Sequence, residues 1–425
     1  MKVVPFDQAA IPQSDKGKRL KQRDYLQEGS LAVIDQGQQQ VGGYTDDQTM
    51  AFEGELPVVL FGDHTRSVKL VNHSFAVGAD GIKIFRPAEG VRTKYLFYWM
   101  KGAPIPDRGY GRHYQFLRQL SVPLPSEDEQ DEIVAELEKQ FSRLDEAVAN
   151  LQRVKANLKR YKASVLKAAV EGRLVETEAT LARREGRTYE TGEQLLQRIL
   201  EERRAKWTGK GKYKEPTAPD TVGFNALPGG WIWASVDQLT SVITDGEHIT
   251  PRRTSEGVLL LSARNVLNGR LALDDVDYVP EDEYERIAKR IAIQAGDVLL
   301  SCSGTVGRSC VVPAGLRFTL VRSAAVLRPV VMLADFMTYN LQSPLGQSQI
   351  DDRKTQTAQA NLFQGKIRQL VFALPPLAEQ ARIVAEVDRH LSIIREVEVE
   401  VEVEANLQRA QALRQATLAK AFANT

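Results

Sequence analysis

The sequence predicts an α+β chain in which two mixed α/β globular modules are separated by two long coiled-coil helices. Three observations predict it. First, the chain states one pattern twice. Arg118-Gln119-Leu120, Leu124-Pro125, Glu129-Gln130 and Ile133-Val134-Ala135-Glu136 recur at Arg368-Gln369-Leu370, Leu374-Pro375, Glu379-Gln380 and Ile383-Val384-Ala385-Glu386, about 250 residues later. A period of that length excludes a solenoid and marks two half-molecules. Second, after each Leu-Pro the hydrophobic pattern changes from short β-like runs to a helical grid. Third, 425 residues, 43% hydrophobic and 26% charged, suffice for two or three soluble domains.

In the first module, Val58-Val59-Leu60-Phe61 lies between Pro57 and Gly62 and reads as a short buried strand. Ile82-Lys83-Ile84-Phe85 opens with the alternation of a half-buried one. In the second, Val258-Leu259-Leu260-Leu261 and Val298-Leu299-Leu300 read as buried strands. Phe6-Asp7-Gln8 matches Val236-Asp237-Gln238 at an offset of about 230, so the second module is about 20 residues longer. Equivalent ends with divergent middles suggest one fold carrying two different binding surfaces. Residues 1–5 have no sequence counterpart to Gly230-Trp231, which predicts an abbreviated start to the first module.

Past Leu124-Pro125, Phe141, Leu144, Val148, Leu151, Leu158 and Val165 fall on a 3.5-residue grid, with Lys155 and Lys162 in its two remaining places. Lysine stems can lie along such a seam while their ammonium groups reach water. A helix this long cannot bury its seam against a compact module and needs another helix. The second copy supplies one: Ile383, Val387, Leu391 and Ile394 continue the spacing. Phe141, Leu144, Val148, Leu151 and Leu158 are therefore expected to pack against Leu391, Ile394 and Val401. The run Glu396-Val397-Glu398-Val399-Glu400-Val401-Glu402-Val403-Glu404 alternates like a strand, yet reads as helix because helical pattern flanks it without a turn residue. Between the halves, Thr191-Gly192-Glu193-Gln194 resembles a capping box before Leu195, Leu196 and Ile199. A short helix to about Trp207 should follow, and then a Gly/Lys/Pro linker.

Several function classes are disfavoured. The net charge of +1 argues against a polybasic binder, while a local basic face remains open. No run of 18 apolar residues occurs, the N-terminus lacks a signal-peptide core, and there are two cysteines, which together predict a cytoplasmic protein. Gly304-Thr305-Val306-Gly307-Arg308-Ser309 fails the phosphate-loop pattern and reads as a tight turn. Cys302 and Cys310 lack zinc-ligand spacing and read as buried thiols, His390 reads as solvated, and no metal site is expected. No N/D-P-P-Y/F tetrapeptide marks an adenine methyltransferase, and no catalytic residue is assigned.

Polar and basic segments inside the modules are the remaining signal. In the first these are Lys18, Arg19, Lys21 and Arg23, then Arg108, Arg112 and Tyr114. In the second they are His248, Arg252, Arg253, Arg264, Asn265, Arg353, Lys354, Gln356, Gln359 and Asn361. Arg and Lys reach guanine edges, Asn and Gln reach adenine edges, and phosphates take either charge or hydroxyl donors. Each segment alone could equally be a solvated loop.

The doubled L-P-x-x-x-E-Q-x-x-I-V-A-E helix entry, Gly230-Trp231-Ile232-Trp233 and Gln359-Ala360-Asn361-Leu362 resemble the specificity subunit of type I restriction-modification systems. So do the helix ends Lys167-Ala168-Ala169 and Ala419-Lys420-Ala421-Phe422. The resemblance implies target-recognition domains at 1–124 and 229–374, spacer helices at 125–174 and 375–425 that pack antiparallel, and a connector at 175–228. It implies that the chain reads a bipartite double-stranded DNA target and has no catalysis or cofactor of its own. Two modification (methyltransferase) subunits, which would use S-adenosylmethionine, and restriction subunits are the implied partners. In the first module Gly109-Tyr110-Gly111-Arg112 stands at the offset of Gln359-Ala360-Asn361-Leu362, so the role of that loop stays open. The competing readings are a coiled-coil scaffold, or a DNA-binding accessory protein of another defence system.

Overall fold

The computed structural model describes residues 2–79, 81–109, 111–209, 211–355, 359–401 and 403–423. The chain forms two compact units, one of residues 1–154 and 401–425, the other of residues 155–400.

The first unit holds the first module. Its elements are β1 (Lys2–Pro5), α1 (Phe6–Ala9), β2 (Ala10–Gln13), β3 (Arg19–Leu20), β4 (Leu31–Ile34), β5 (Gly43–Thr45), β6 (Val58–Gly62), β7 (Val68–Val71), β8 (Phe75–Gly78), β9 (Ile82–Pro87), α2 (Thr93–Gly102), α3 (Tyr114–Leu117) and β10 (Ser121–Leu124). One antiparallel sheet has the order β2-β9-β6-β7. A second, mixed sheet has the order β3-β8-β4-β5, with β3 and β4 parallel to β8. The unbroken apolar run of β6 has a simple cause: the strand is buried on both faces. Val59 and Phe61 pack with Phe6, Phe85, Leu96 and Trp99. Val58 and Leu60 face Ile34, Phe75 and Val77.

The second unit repeats this plan. Its module contains β11 (Ile232–Ser235), α7 (Val236–Leu239), β12 (Thr240–Asp245), β13 (Val258–Leu261), β14 (Val266–Leu267), β15 (Arg270–Leu271), β16 (Asp277–Val279), α8 (Glu281–Ala288), β17 (Val298–Ser301), β18 (Ser309–Val311), β19 (Phe318–Leu320), β20 (Ala324–Pro329), α9 (Ala334–Gln342), α10 (Pro344–Arg353), α11 (Gln364–Arg368) and β21 (Val371–Leu374). The antiparallel sheet β12-β20-β17-β18 reproduces the order and directions of the first. Here too the central strand β17 splits its side chains, Val298 and Leu300 to one core and Leu299 to the other. The turn after it bends at Gly304 and Gly307, both at positive φ, as the tight-turn reading requires.

The repeated sequence is a repeated set of ties. Each module's first strand pairs antiparallel with its last, β1 with β10 and β11 with β21. Lys2–Pro5 takes the place of Ile232–Ser235, without the Gly-Trp that precedes the latter. Phe6 N–H donates to Leu120 O at 3.0 Å, and Val236 N–H to Leu370 O at 2.8 Å. The ion pairs Arg118–Asp7 (2.8 Å) and Arg368–Asp237 (2.6 Å) join the same two turns.

The Gln of each Glu-Gln pair then docks a long helix on its module. Gln130 accepts from Arg92 N–H at 2.8 Å and donates to Gly90 O and Pro125 O. Gln380 accepts from Leu333 N–H at 3.1 Å and donates to Pro375 O. Both side chains are fully buried, so truncation strands backbone groups rather than returning them to water. Gln130→Ala and Gln380→Ala should each destabilise by about 1–3 kcal/mol. Thermal unfolding checks this, and an unchanged midpoint would reject the docking role.

Helix α4 (Glu127–Val170) is continuous and about 66 Å long at about 1.5 Å per residue. It is followed by α5 (Glu178–Glu185) and α6 (Gly192–Ala205). The Thr191 capping box forms as expected: its hydroxyl accepts from Gln194 N–H, and Gln194 Oε1 accepts from Thr191 N–H. Helix α5 lies in the connector ahead of the expected short helix, where the sequence reading placed no helix. Thr177 caps its start, and Gly186, left-handed, ends it. The C-terminal helices are α12 (Leu377–Val401) and α13 (Val403–Ala423), so helix prevails through the Glu-Val alternation up to Val401.

The seam runs antiparallel, but in two stretches with different partners. In the first unit Phe141 lies under Arg414 of α13 and against Tyr98, and Asp145 pairs with Arg414. Its expected partner was the Leu391–Val401 stretch. Leu144, Val148, Leu151 and Leu158 are half-buried. In the second unit Val165, Leu166 and Ala169 pack in one core with Ile383 and Val387, with Leu391 against it, and Ile394 is buried. The side chain of Val401 lies outside the described residues. His390 is not solvated: Nδ1 is 2.7 Å from Tyr161 Oη, and Nε2 is 3.1 Å from Glu386.

Candidate nucleic-acid interface

In the second module four loops converge on one open cleft of about 910 Å³. They follow β12, β17 and β19 and precede α11. The loop after β12 is held by backbone: Gly246 N–H donates to Ala324 O, Glu247 N–H to Leu320 O and Arg322 N–H to Glu247 O. Only glycine fits at 246, because a Cβ there would lie 2.2 Å from Val321 O. The buried Glu247 carboxylate accepts from Ile249 N–H, which fixes the loop's next turn. The cleft thus has a rigid floor and a polar rim.

The structure brings together four of the sequence-predicted residues that were far apart in the chain. His248, Arg253, Gln359 and Asn361 all line the cleft. His248 Nε2 is 3.0 Å from Asp245, and Arg253 is 3.7 Å from Asp277. Gln359 Nε2 donates to Ser303 Oγ at 3.1 Å, and Asn361 Nδ2 to Gln359 O at 2.9 Å. Gln356 lies outside the described residues.

The other candidates lie elsewhere. Arg252 pairs with Asp282, and Arg264 with Asp275 and Asp277. Asn265, expected to reach DNA, is buried and corrects that expectation. Its Oδ1 accepts from Ser262 N–H, and its Nδ2 donates to Ala272 O and Asp275 O, so the amide is spent on its own loop. Arg353 donates to Gln349 O, and Lys354 pairs with Asp351; neither lines the cleft.

Sequence reasoning missed Ser303, Arg322, Ile249 and Phe363, which also line it. Ile249 is 68% and Phe363 63% exposed, an apolar pair suited to base edges and thymine methyls. The Arg322 side chain is exposed and has no carboxylate partner among the described residues. Its neighbour Cys302 is buried, and burial pushes its thiol up to about 12, so it is inert floor.

In the first module Lys16 and Lys18 both pair with Glu53 and hold its carboxyl at about 2. Arg19 pairs with Asp15 and donates to Ile82 O. This part of the basic run is internally neutralised. Lys21 and Arg23 are exposed, with Arg23 3.5 Å from Asp24. Tyr114 is half-buried between Phe85 and the cations of Lys83 and Arg118, at the edge of the core. Arg108 and Arg112 stand exposed beside the buried His113.

No family model matches the chain. It is 24% identical over 169 residues to the Type I restriction enzyme EcoBI specificity subunit of Escherichia coli. That match covers 39% of this chain and 35% of the relative, so it spans about a third of the relative's length. Among solved structures, one described as the structural basis underlying complex assembly and conformational transition of the type I R-M system contains a similar chain. Its TM-score is 0.57 at 17% identity, covering 99% of this chain and 97% of that one. The HsdS subunit from Thermoanaerobacter tengcongensis gives 0.46 at 17% identity, covering 99% and 96%.

Proposed function

We propose that this chain, which shares its fold with the type I restriction-modification specificity subunits it resembles, is the DNA-recognition subunit of such a system. One observation carries the reading. A single module is built twice, down to the same closing strand pair, ion pair and glutamine tie, while its rim residues differ. Equal frames with unequal rims are what reading two different half-sites requires. The long helices then set the unread gap between half-sites and offer the surface on which two modification subunits, and restriction subunits with them, assemble.

The chain contributes recognition, and S-adenosylmethionine belongs to the modification partner. Among the described residues no helix is long and apolar enough to cross a membrane. The protein works in the cytoplasm, where the DNA is. Without its partners it should show neither methyltransferase nor nuclease activity.

Footprinting of the assembled complex on its target tests this. Two protected patches separated by an open gap are expected; one patch, or none, contradicts it. Arg322 supplies phosphate affinity at the rim, so Arg322→Ala should reduce the slope of log affinity against log salt by about one. An unchanged slope would remove Arg322 from the interface.

A further inference from the structure

The backbone ties that fix the cleft floor of the second module have a counterpart in the first that the sequence repeat hides. Two backbone hydrogen bonds fix the cleft floor in the second module. Cys302 N–H donates to Ser323 O at 2.7 Å, and Leu362 N–H donates to Cys302 O at 2.9 Å. The first module has the same pair: Asp63 N–H donates to Gly81 O at 2.7 Å, and His113 N–H to Asp63 O at 2.8 Å. Asp63 and Cys302 each directly follow the central strand of the equivalent sheet.

These bonds make Asp63 equivalent to Cys302 and His113 equivalent to Leu362. One step outward, His64 takes the place of Ser303, and Arg112 that of Asn361. The preceding carbonyl is tied to the same turn in both modules, though by different groups. Gly111 O bonds to His64 Nδ1 at 3.2 Å, and Ala360 O accepts from Gly304 N–H at 3.2 Å. The repeat's offset of 250 would instead set Gly111 against Asn361. The register here is one residue shorter, because Leu362 and Phe363 together stand against His113: Leu362 N–H makes the floor bond of His113 N–H, and Phe363 O accepts from Ile367 N–H as His113 O does from Leu117 N–H. The fully buried Leu117 and Ile367 restore the offset of 250.

We infer that Arg112, flanked by His64, is the base-reading position of the first module, and that the half-site read there contains a guanine. The inference rests on the proposed DNA-recognition role and deepens it. Arg112 is exposed, follows the glycine that holds His64, and has no carboxylate partner among the described residues. A guanidinium so placed offers a bidentate fork for guanine O6 and N7, whereas Asn361 at the equivalent position suits adenine. Elsewhere in this module Lys16, Lys18 and Arg19 are neutralised by Glu53 and Asp15, and Arg66, two residues beyond His64, is paired with Asp107.

The test uses the full chain assembled with its modification subunits, as parental, Arg112→Ala, Arg112→Lys and Asn361→Ala forms. The methylated motif is read genome-wide, and duplex binding is measured across single-base variants of it. Arg112→Ala should relax one G·C position in one half-site, with discrimination there falling roughly 5- to 150-fold. Arg112→Lys should keep part of it, and Asn361→Ala should relax a position in the opposite half-site. Unchanged discrimination overturns the inference. So does an affinity loss equal across all sequences with a salt slope lower by about one, the signature of a phosphate contact. Complete loss of binding by Arg112→Ala, in a complex that still melts like the parent, overturns it too. If instead the parental complex yields no two-part motif, the DNA-recognition reading itself has failed, whatever Arg112 does.

Discussion

Exchanging residues 229–374 for the corresponding module of a chain with another target should change one half of the methylated motif completely. The other half and the gap should stay as they were. The fold makes the exchange practicable. The module enters on Ile232 and leaves on Leu374, and these two residues are partners in one strand pair. Its ends are therefore adjacent, and a replacement with the same closing pair disturbs no chain path. The replacement must keep the Tyr339 hydroxyl that Asp388 accepts from and the apolar face that meets Ile383 and Val387. Gln380 takes the backbone N–H of Leu333, which any residue but proline supplies at that position. Glu379 takes the Trp231 indole N–H at 3.0 Å and the Glu178 N–H at 2.8 Å, both outside the exchanged β-structure if Trp231 is retained. Burial pushes the Glu379 carboxyl above its ordinary range, and these two donors oppose that. A specific site is typically favoured about 10³-fold or more over unrelated sequence, so the switch would be unambiguous. Changes in both half-sites would contradict independent modules.

Removing a matched heptad from the helix pair should shorten the gap by about three base pairs without altering either half-site. Asp145 of α4 faces Arg414 of α13, so the antiparallel partner of residues 146–152 is residues 407–413. Deleting both preserves the seam, whose period is close to 3.5 residues, and removes about 10 Å at about 1.5 Å per residue. At roughly 3.4 Å per base pair this equals about three steps of B-DNA. Deleting about four residues from each helix instead keeps roughly one full turn but breaks the heptad, so methylation should fall. Sequencing the motif recovered with each variant decides the matter. An active heptad deletion with the parental gap would contradict the ruler.

What the sequence made legible were features with local physical causes. The Thr191 cap depends on a neighbour three residues away and the continuous apolar strands at Val58 and Val298 on burial of both faces; the Glu-Gln pair was legible because the chain states it twice. The misreadings turn on burial and on partners that the sequence does not mark. The partner of Phe141 turned on which stretch of the second helix lies opposite, and the alternation from Glu396 to Glu404 obscures the register that would have settled it. Asn265 carries the same amide whether it reads a base or caps its own loop; only its burial separates the two. Lys18 and Arg19 read as a basic patch because Glu53, the partner of Lys18, lies more than thirty residues on, and because Asp15, the partner of Arg19, is indistinguishable from any solvated acid. Phe363 could not be told from a core aromatic, although it is exposed at the cleft. The cleft itself is assembled from four separate loops, so no single segment carried its signature.

The most direct test of the central claim is a genome-wide map of modified adenines in cells expressing this chain with its modification partner, compared with cells lacking the chain. The account predicts methylation at two short specific sequences separated by an unread gap of constant length, and none at those sites without the chain. A single contiguous motif, or the same methylation in its absence, would contradict it.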